Sequence, residues 1–238
     1  EFSISNSGID AHVFKLENEQ IAYLVKKDGQ VIIDTSLLGI TVSGKSLGSD
    51  SKIKLFESSV EGFEYPLSGV KSKAHHQANI SKFEIEETDG FKWFLEFLVS
   101  EEGLAYRYII PGSGTQKVLG EKSSFKFPNN TRIWYFERNN HWKLKSHAGE
   151  WHSADISQMP TVSKMGPVQG LTLTCEMPGG GYALVAEAAL FNYSGMRLEA
   201  IGDNTFKANF TEGEKGFNIE GDIVTPWRCV LIAEDLNE

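Results

Sequence analysis

The sequence predicts an all-β protein, one domain built as a large antiparallel two-sheet sandwich. Apolar and polar residues alternate with period two from end to end. Amphipathic helical periodicity is almost absent, and no segment carries both caps of a long helix. The alternating runs are separated by turn signals at short spacing, as in sandwiches. A chain of 238 residues can bury a large core, and all-β sandwiches of this size often form one domain.

Taken in order, IAYLVKKDGQVIID (21–34) reads as two strands around an Asp28-Gly29 turn, a strong short-range hairpin signal. FEIEETDGFKWFLEFLVSEEGLAYRYIIPG (83–112) reads as three more strands. Their turns contain Asp89-Gly90 and Glu101-Glu102-Gly103, and Phe83, Ile85, Phe91 and Trp93 are expected in the core. Later strands follow at RIWYFER, LTLTCEM, YALVAEAALF, MRLEAIG, TFKANF, FNIEG and PWRCVLIA. Pro178 and the three glycines after it form the turn between strands 171–176 and 182–191. No helix follows them, so the helix-terminal amides of a phosphate cradle are lacking. Residues 138–168 are the least regular and predict a long ordered loop, which in a compact domain is often functional.

The net charge of −9 argues against a nucleic-acid partner, because phosphate binding needs a basic face. No apolar run approaches the ~18 residues of a membrane span. The start, EFSISNSG, lacks the regions of a signal peptide, as expected of a cytosolic protein or of a mature chain whose signal has been removed. The end, VTPWRCVLIAEDLNE, runs from a strand into a charged tail, as expected of a domain cut from something longer or of a natural short tail. Cys175 and Cys229 both sit in apolar strand-like runs, where buried free thiols are expected over a bridge. Asn79, Asn129, Asn192 and Asn209 fall in glycosylation sequons that are read as chance.

No phosphate loop, nucleophile elbow or zinc spacing is present. His141, His147 and His152 share a segment with Glu137 and Glu150, but their spacings match no compact ligand set, so surface or loop packing is expected. His75 and His76 are adjacent on a strand and face opposite sides. Trp134, Tyr135, Phe136, Trp142 and Trp151 cluster around the same segment. Such rings can stack on sugars, although packing is the plainer reading. Three rival functions follow. One is a stand-alone carbohydrate-binding module using the tryptophans. Another is an aldose epimerase pairing His141 or His152 with Glu137 or Glu150. The last is a purely structural domain.

GYALVAEAALFNYSG (181–195) holds one charge, Glu187, in a strand that otherwise reads as buried on both faces. Alternation puts Ala183, Val185, Glu187, Ala189 and Phe191 on one side and Tyr182, Leu184, Ala186, Ala188 and Leu190 on the other. A carboxylate buried without a partner costs several kcal/mol. The residues leave three readings open: a buried pair with Arg197 or Arg228, an outward-facing surface glutamate, or a ligand to a hard cation such as calcium.

AEAALFNYSGMRL (186–198) followed by TPWR (225–228), with DGQVIIDTSLLGI (28–40) and LEFLVSEEGLAYRYIIPG (95–112) upstream, resembles the amino-terminal domain of glycoside hydrolase family 97. The resemblance spans nearly the whole chain. It implies a galactose mutarotase-like β-super-sandwich preceding a (β/α)8 catalytic barrel and a carboxy-terminal β-domain. It also implies a calcium-dependent α-glucosidase or α-galactosidase, inverting or retaining respectively, acting on α-linked oligosaccharides. The catalytic carboxylates would lie in the barrel, and this chain alone would be inactive. By motif position Glu187 would be the calcium ligand lent by this domain. Asn209, Phe210 and Thr211 lie where family members bring residues to the substrate. TPWR is expected to be structural, with Arg228 pairing to a carboxylate. The resemblance further implies a periplasmic or exported bacterial protein. The 138–168 segment matches no pattern that separates glucosidase from galactosidase.

Overall fold

The structure, a computed structural model, describes residues 1–68, 72–137 and 149–236. In chain order the strands are β1 (Phe2–Asn6), β2 (Ile9–Lys15), β3 (Ile21–Lys27), β4 (Gln30–Leu37), β5 (Ile40–Val42), β6 (Lys45–Leu47), β7 (Lys52–Pro66) and β8 (Lys73–Glu86). Next come β9 (Lys92–Ser100), β10 (Gly103–Ile110), β11 (Thr115–Glu121), β12 (Ser124–Lys126), β13 (Arg132–Glu137), β14 (Glu150–Asp155) and β15 (Val168–Gln169). The last are β16 (Leu173–Glu176), β17 (Tyr182–Ala188), β18 (Arg197–Gly202), β19 (Thr205–Asn209), β20 (Phe217–Glu220), β21 (Ile223–Val224) and β22 (Trp227–Ala233). Among the described residues the only helical pieces are two short 3-10 turns, Ile156–Gln158 and Gly213–Lys215.

One large sheet has the order β1-β2-β3-β4-β12-β19-β18-β15. The other runs β14-β13-β16-β17-β22-β10-β9-β8-β7, with β21 also on β10. A small third sheet, β20-β11-β5-β6, was not expected from the sequence. The two large sheets meet through aromatic pairs. Tyr23 of β3 lies 6.0 Å from Phe97 and 5.3 Å from Tyr106, and Phe2 of β1 lies 5.0 Å from Phe83. Along β9 the inward row is Trp93, Leu95, Phe97 and Val99, which is the period-two pattern made physical. One buried cluster joins all three sheets, through residues such as Phe206, Val230 and Val118. Each fully buried side chain of this size stabilises by about 1.5–3 kcal/mol.

Local chemistry explains the junctions. Asp28 (φ 49°) and Gly29 (φ 84°) both adopt positive φ, the geometry of a type I′ hairpin that matches strand twist. Gly103 approaches β22 so closely that a Cβ there would lie 2.2 Å from the Val230 carbonyl oxygen. Only glycine permits that contact at φ 146°.

Several expectations are corrected. Part of the segment read as a loop is a strand, because β14 pairs antiparallel with β13 from Glu137↔Glu150 to Arg132↔Asp155. Of β14 only Ala154 is buried, so the sequence carries little alternation there. Residues 138–148, with His141, Trp142 and His147, lie outside the described residues. The strand read as 182–191 ends at Ala188. Ala189 turns to φ 56°, and Leu190 and Phe191 are exposed. The strand read as 171–176 begins at Leu173. Phe91 is only partly buried, beneath the Lys45 ammonium, instead of lying in the core proper.

Candidate functional site

Sheet register brings the site together. Glu187 near the end of β17 lies directly opposite Arg228 on β22, whose other neighbour in the sheet is Tyr106 on β10. Arg228 is fully buried. It reaches the last residue of β11, Glu121, by two bonds: Nε donates to Oε2 at 3.1 Å and Nη2 donates to Oε1 at 2.6 Å. Its remaining Nη1 donates to Glu187 Oε2 at 2.9 Å. One guanidinium therefore joins two carboxylates from two sheets. The rings of Tyr193 and Phe210 flank it at 5.6 and 5.7 Å from the guanidinium carbon.

The two glutamates are held differently. Glu121 is buried and accepts two further hydrogen bonds, from Tyr193 Oη at 2.8 Å and Ser123 Oγ at 2.7 Å. Ser123 Oγ in turn lies 2.9 Å from the Tyr108 hydroxyl, which accepts the Gly39 N–H. Glu187 keeps 15% of its side chain exposed. Besides Arg228 it accepts, among the described residues, only the Met196 N–H, shared by both oxygens at 3.1 Å, so none of them gives Oε1 a side-chain donor. Burial by itself disfavours charge on Arg228, but Glu121 outweighs that and holds the arginine pKa above its ordinary value. Burial, reinforced by the Glu121 charge, likewise raises the Tyr193 hydroxyl pKa, so Tyr193 serves as a donor.

Glu187 is thus paired with Arg228, in a side chain that is partly buried. Arg197 is engaged elsewhere, donating to Asn209 Oδ1 at 2.7 Å. Asn209 also donates to Glu199 at 3.1 Å, which among the described residues leaves one amide N–H and one acceptor lone pair unused. Phe210 is buried against Tyr193 and Phe217, while Thr211 is exposed. In TPWR, Trp227 packs under the Arg107 guanidinium at 4.2 Å. An open cleft of about 940 Å³ borders the loop after β17, lined by Arg107, Phe191, Tyr193, Glu212, Asp222 and others.

The other constellations are looser. His152 and Glu150 form an exposed pair 3.7 Å apart. His75 pairs with Glu64 at 3.0 Å on the outside of the β7–β8 ribbon. Trp134 and Trp151 are exposed, and Trp151 meets Phe136 edge-on at 5.3 Å. Cys175 and Cys229 are both free. Cys175 opposes Ala183 and Cys229 opposes Ala186, three residues apart on β17, so the thiols face opposite sides of the sheet. Burial raises both thiol pKa values, that of Cys229 to about 11. Among the described residues, no group of three or more His, Cys, Asp or Glu side chains is placed to hold a metal ion. Nor is any helix there long and apolar enough to cross a membrane.

Sequence reasoning missed Glu121 and Tyr193. Glu121 sits in a polar run, LGEKSS, that reads as a solvated strand end, and only the fold turns it inward. The FNYSG of the β17–β18 loop gives no sign that Tyr193 returns to the core.

The family described as glycosyl-hydrolase 97 N-terminal matches residues 5–238. A probable retaining alpha-galactosidase from Streptomyces bingchenggensis (strain BCW-1) is 27% identical over 215 residues, covering 88% of this chain and 31% of the relative. A beta-arabinopyranosidase crystal structure superposes with a TM-score of 0.83 at 21% identity, over 98% of this chain and 40% of that one. A variant of a glycoside hydrolase family 97 enzyme from Pseudoalteromonas sp. strain K8 gives a TM-score of 0.83 at 18% identity, over 98% of this chain and 36% of that one. At these identities the structural likeness is one of fold. The chain spans about a third of the length of the curated relative.

Proposed function

The chain belongs to the glycosyl-hydrolase 97 N-terminal family, and from that premise we propose that it is the non-catalytic amino-terminal domain of a calcium-dependent α-glycoside hydrolase. In this reading it packs on a catalytic (β/α)8 barrel, completes the active-site pocket and lends Glu187 as one calcium ligand. The observation that carries it is the half-provided carboxylate of Glu187. Its Oε2 is fixed by Arg228, while among the described residues Oε1 receives only a backbone N–H, in a side chain that retains exposure. A hard cation prefers such carboxylate oxygens and takes six to eight ligands, so a single one suits a domain whose partner supplies the rest.

Within this chain, Arg228 and the Met196 N–H orient the Glu187 carboxylate, and no proton transfer is asked of it. Asn209 retains hydrogen-bonding capacity toward a sugar hydroxyl, Thr211 faces solvent beside it, and buried Phe210 supports both as packing. Calcium, when bound, would order carboxylates and a sugar hydroxyl and bias the charge on the catalytic acid. The catalytic carboxylates belong to the barrel, and their separation sets inversion or retention. The relative named as an alpha-galactosidase makes an α-galactoside the first substrate to try, with an α-glucoside beside it. A periplasmic or exported location accompanies this reading, and cell fractionation tests it.

The test is hydrolysis of aryl α-galactoside and aryl α-glucoside by the complete gene product, with calcium and with chelator, for wild type and Glu187→Gln. Loss of activity in chelator, and a higher calcium requirement in the variant, are expected. Indifference to both would reduce Glu187 to a packing role. A second reading, an autonomous sugar-binding surface, draws on the exposed Trp134 and Trp151. Oligosaccharide binding by this chain alone, abolished in Trp151→Ala, would favour it.

A further inference from the structure

We infer that Glu121 and Arg228 are positioning residues for Glu187: Glu121 anchors the arginine and offsets its charge, so Glu187 meets a cation both aimed and still anionic. This rests on the Glu187 reading above. The difficulty it resolves is electrostatic. A guanidinium bonded to Glu187 at 2.9 Å fixes the carboxylate but also opposes the approach of a second cation. Were Arg228 paired to Glu187 alone, the two charges would cancel. Two of its three bonding directions go instead to Glu121, in the fork geometry that binds arginine to carboxylate most strongly. With both glutamates ionised, the trio keeps one net negative charge, and its exposed part is at Glu187.

The anchor is itself built. Tyr193 and Ser123 donate to the two oxygens of Glu121, Tyr108 stands behind Ser123, and the Gly39 N–H stands behind Tyr108. This continuous line of hydrogen bonds runs from the start of the small sheet to the guanidinium. The flanking rings of Tyr193 and Phe210 leave the planar group little room to swing. Tyr193 and Met196 lie in the segment between β17 and β18, so one short stretch of chain grips both glutamates. A pair needed only for packing would not require the second carboxylate, which makes the unequal sharing the informative feature.

The inference is tested on the complete gene product by calcium titration calorimetry, with unfolding midpoints recorded in calcium and in chelator. Glu187→Gln should show the greatest loss of affinity. Glu121→Gln removes the offsetting charge from a residue that binds Arg228 and is not itself a calcium ligand in this reading, and calcium binding should weaken about tenfold. Its chelator-state midpoint reports any cost to folding separately. Wild-type affinity in folded Glu121→Gln, with affinity lost in Glu187→Gln, overturns the positioning inference and leaves the Glu187 reading standing. Wild-type affinity in Glu187→Gln overturns both. Should Glu121→Gln not fold, Arg228→Lys carries the test, since lysine keeps the charge but lacks the fork that holds two carboxylates at once. Weaker calcium binding is expected there, and unchanged binding in the folded variant overturns the inference.

Discussion

Glu121 and Glu187 share one arginine and differ in almost everything else. At Glu121 the network is sealed: two arginine N–H groups and two hydroxyls converge on a buried carboxylate. At Glu187 it is open: one arginine N–H, one backbone N–H and residual exposure. A sealed ion pair has no acceptor capacity left for a ligand and can act on one only through the group it holds. An open one retains an anionic edge. The same residue type thus becomes scaffold or site according to how many donors the neighbouring strands supply.

That contrast can be broken by mutation, and the expected effects fall in a definite order. Arg228→Met strands two carboxylates at once and should destabilise by about 3–5 kcal/mol, measured by urea unfolding. A smaller loss would mean that water reaches the sealed end. Tyr193→Phe removes one charge-assisted hydrogen bond from Glu121 and should cost about 1.5–3 kcal/mol in the same assay. Glu187→Gln acts at the open end and should cost no more than about 1 kcal/mol in chelator, because solvent partly screens the pair. If it costs as much as Arg228→Met, the distinction between the two ends fails. Trp151→Ala, on the largely exposed edge strand β14, should shift stability by within about 0.5 kcal/mol. Thiol labelling sharpens the picture from a different direction. Cys175 should resist alkylation until the protein unfolds, Cys229 should react slowly at neutral pH, and mass analysis should find no bridge.

Much of the fold was legible because alternation and turn chemistry are local. The Asp28-Gly29 hairpin and the three strands of 83–112 follow from residues within a few positions of each other. The ends of β17 and the existence of β14 were not legible. Ala189, Leu190 and Phe191 continue the apolar run after the backbone has turned, and β14 pairs in register with few apolar residues. At the site, the lone charge of Glu187 was visible against its alanines, and Arg228 stood among its possible partners. Glu121 was invisible, lying 107 residues from Arg228 in sequence and in a run that looks solvated.

The sequence by itself determined that this chain is all-β, where its principal hairpins turn, and that a carboxylate sits where an apolar strand should have none. These are local properties, written in period two and in the φ preferences of particular residues. Only the tertiary structure decided that the third sheet exists, that two sheets deliver two glutamates to one guanidinium, and that the arginine is shared unequally. Those depend on register between strands far apart in the chain, and the hydrogen-bond count at each carboxylate is fixed only when that register closes.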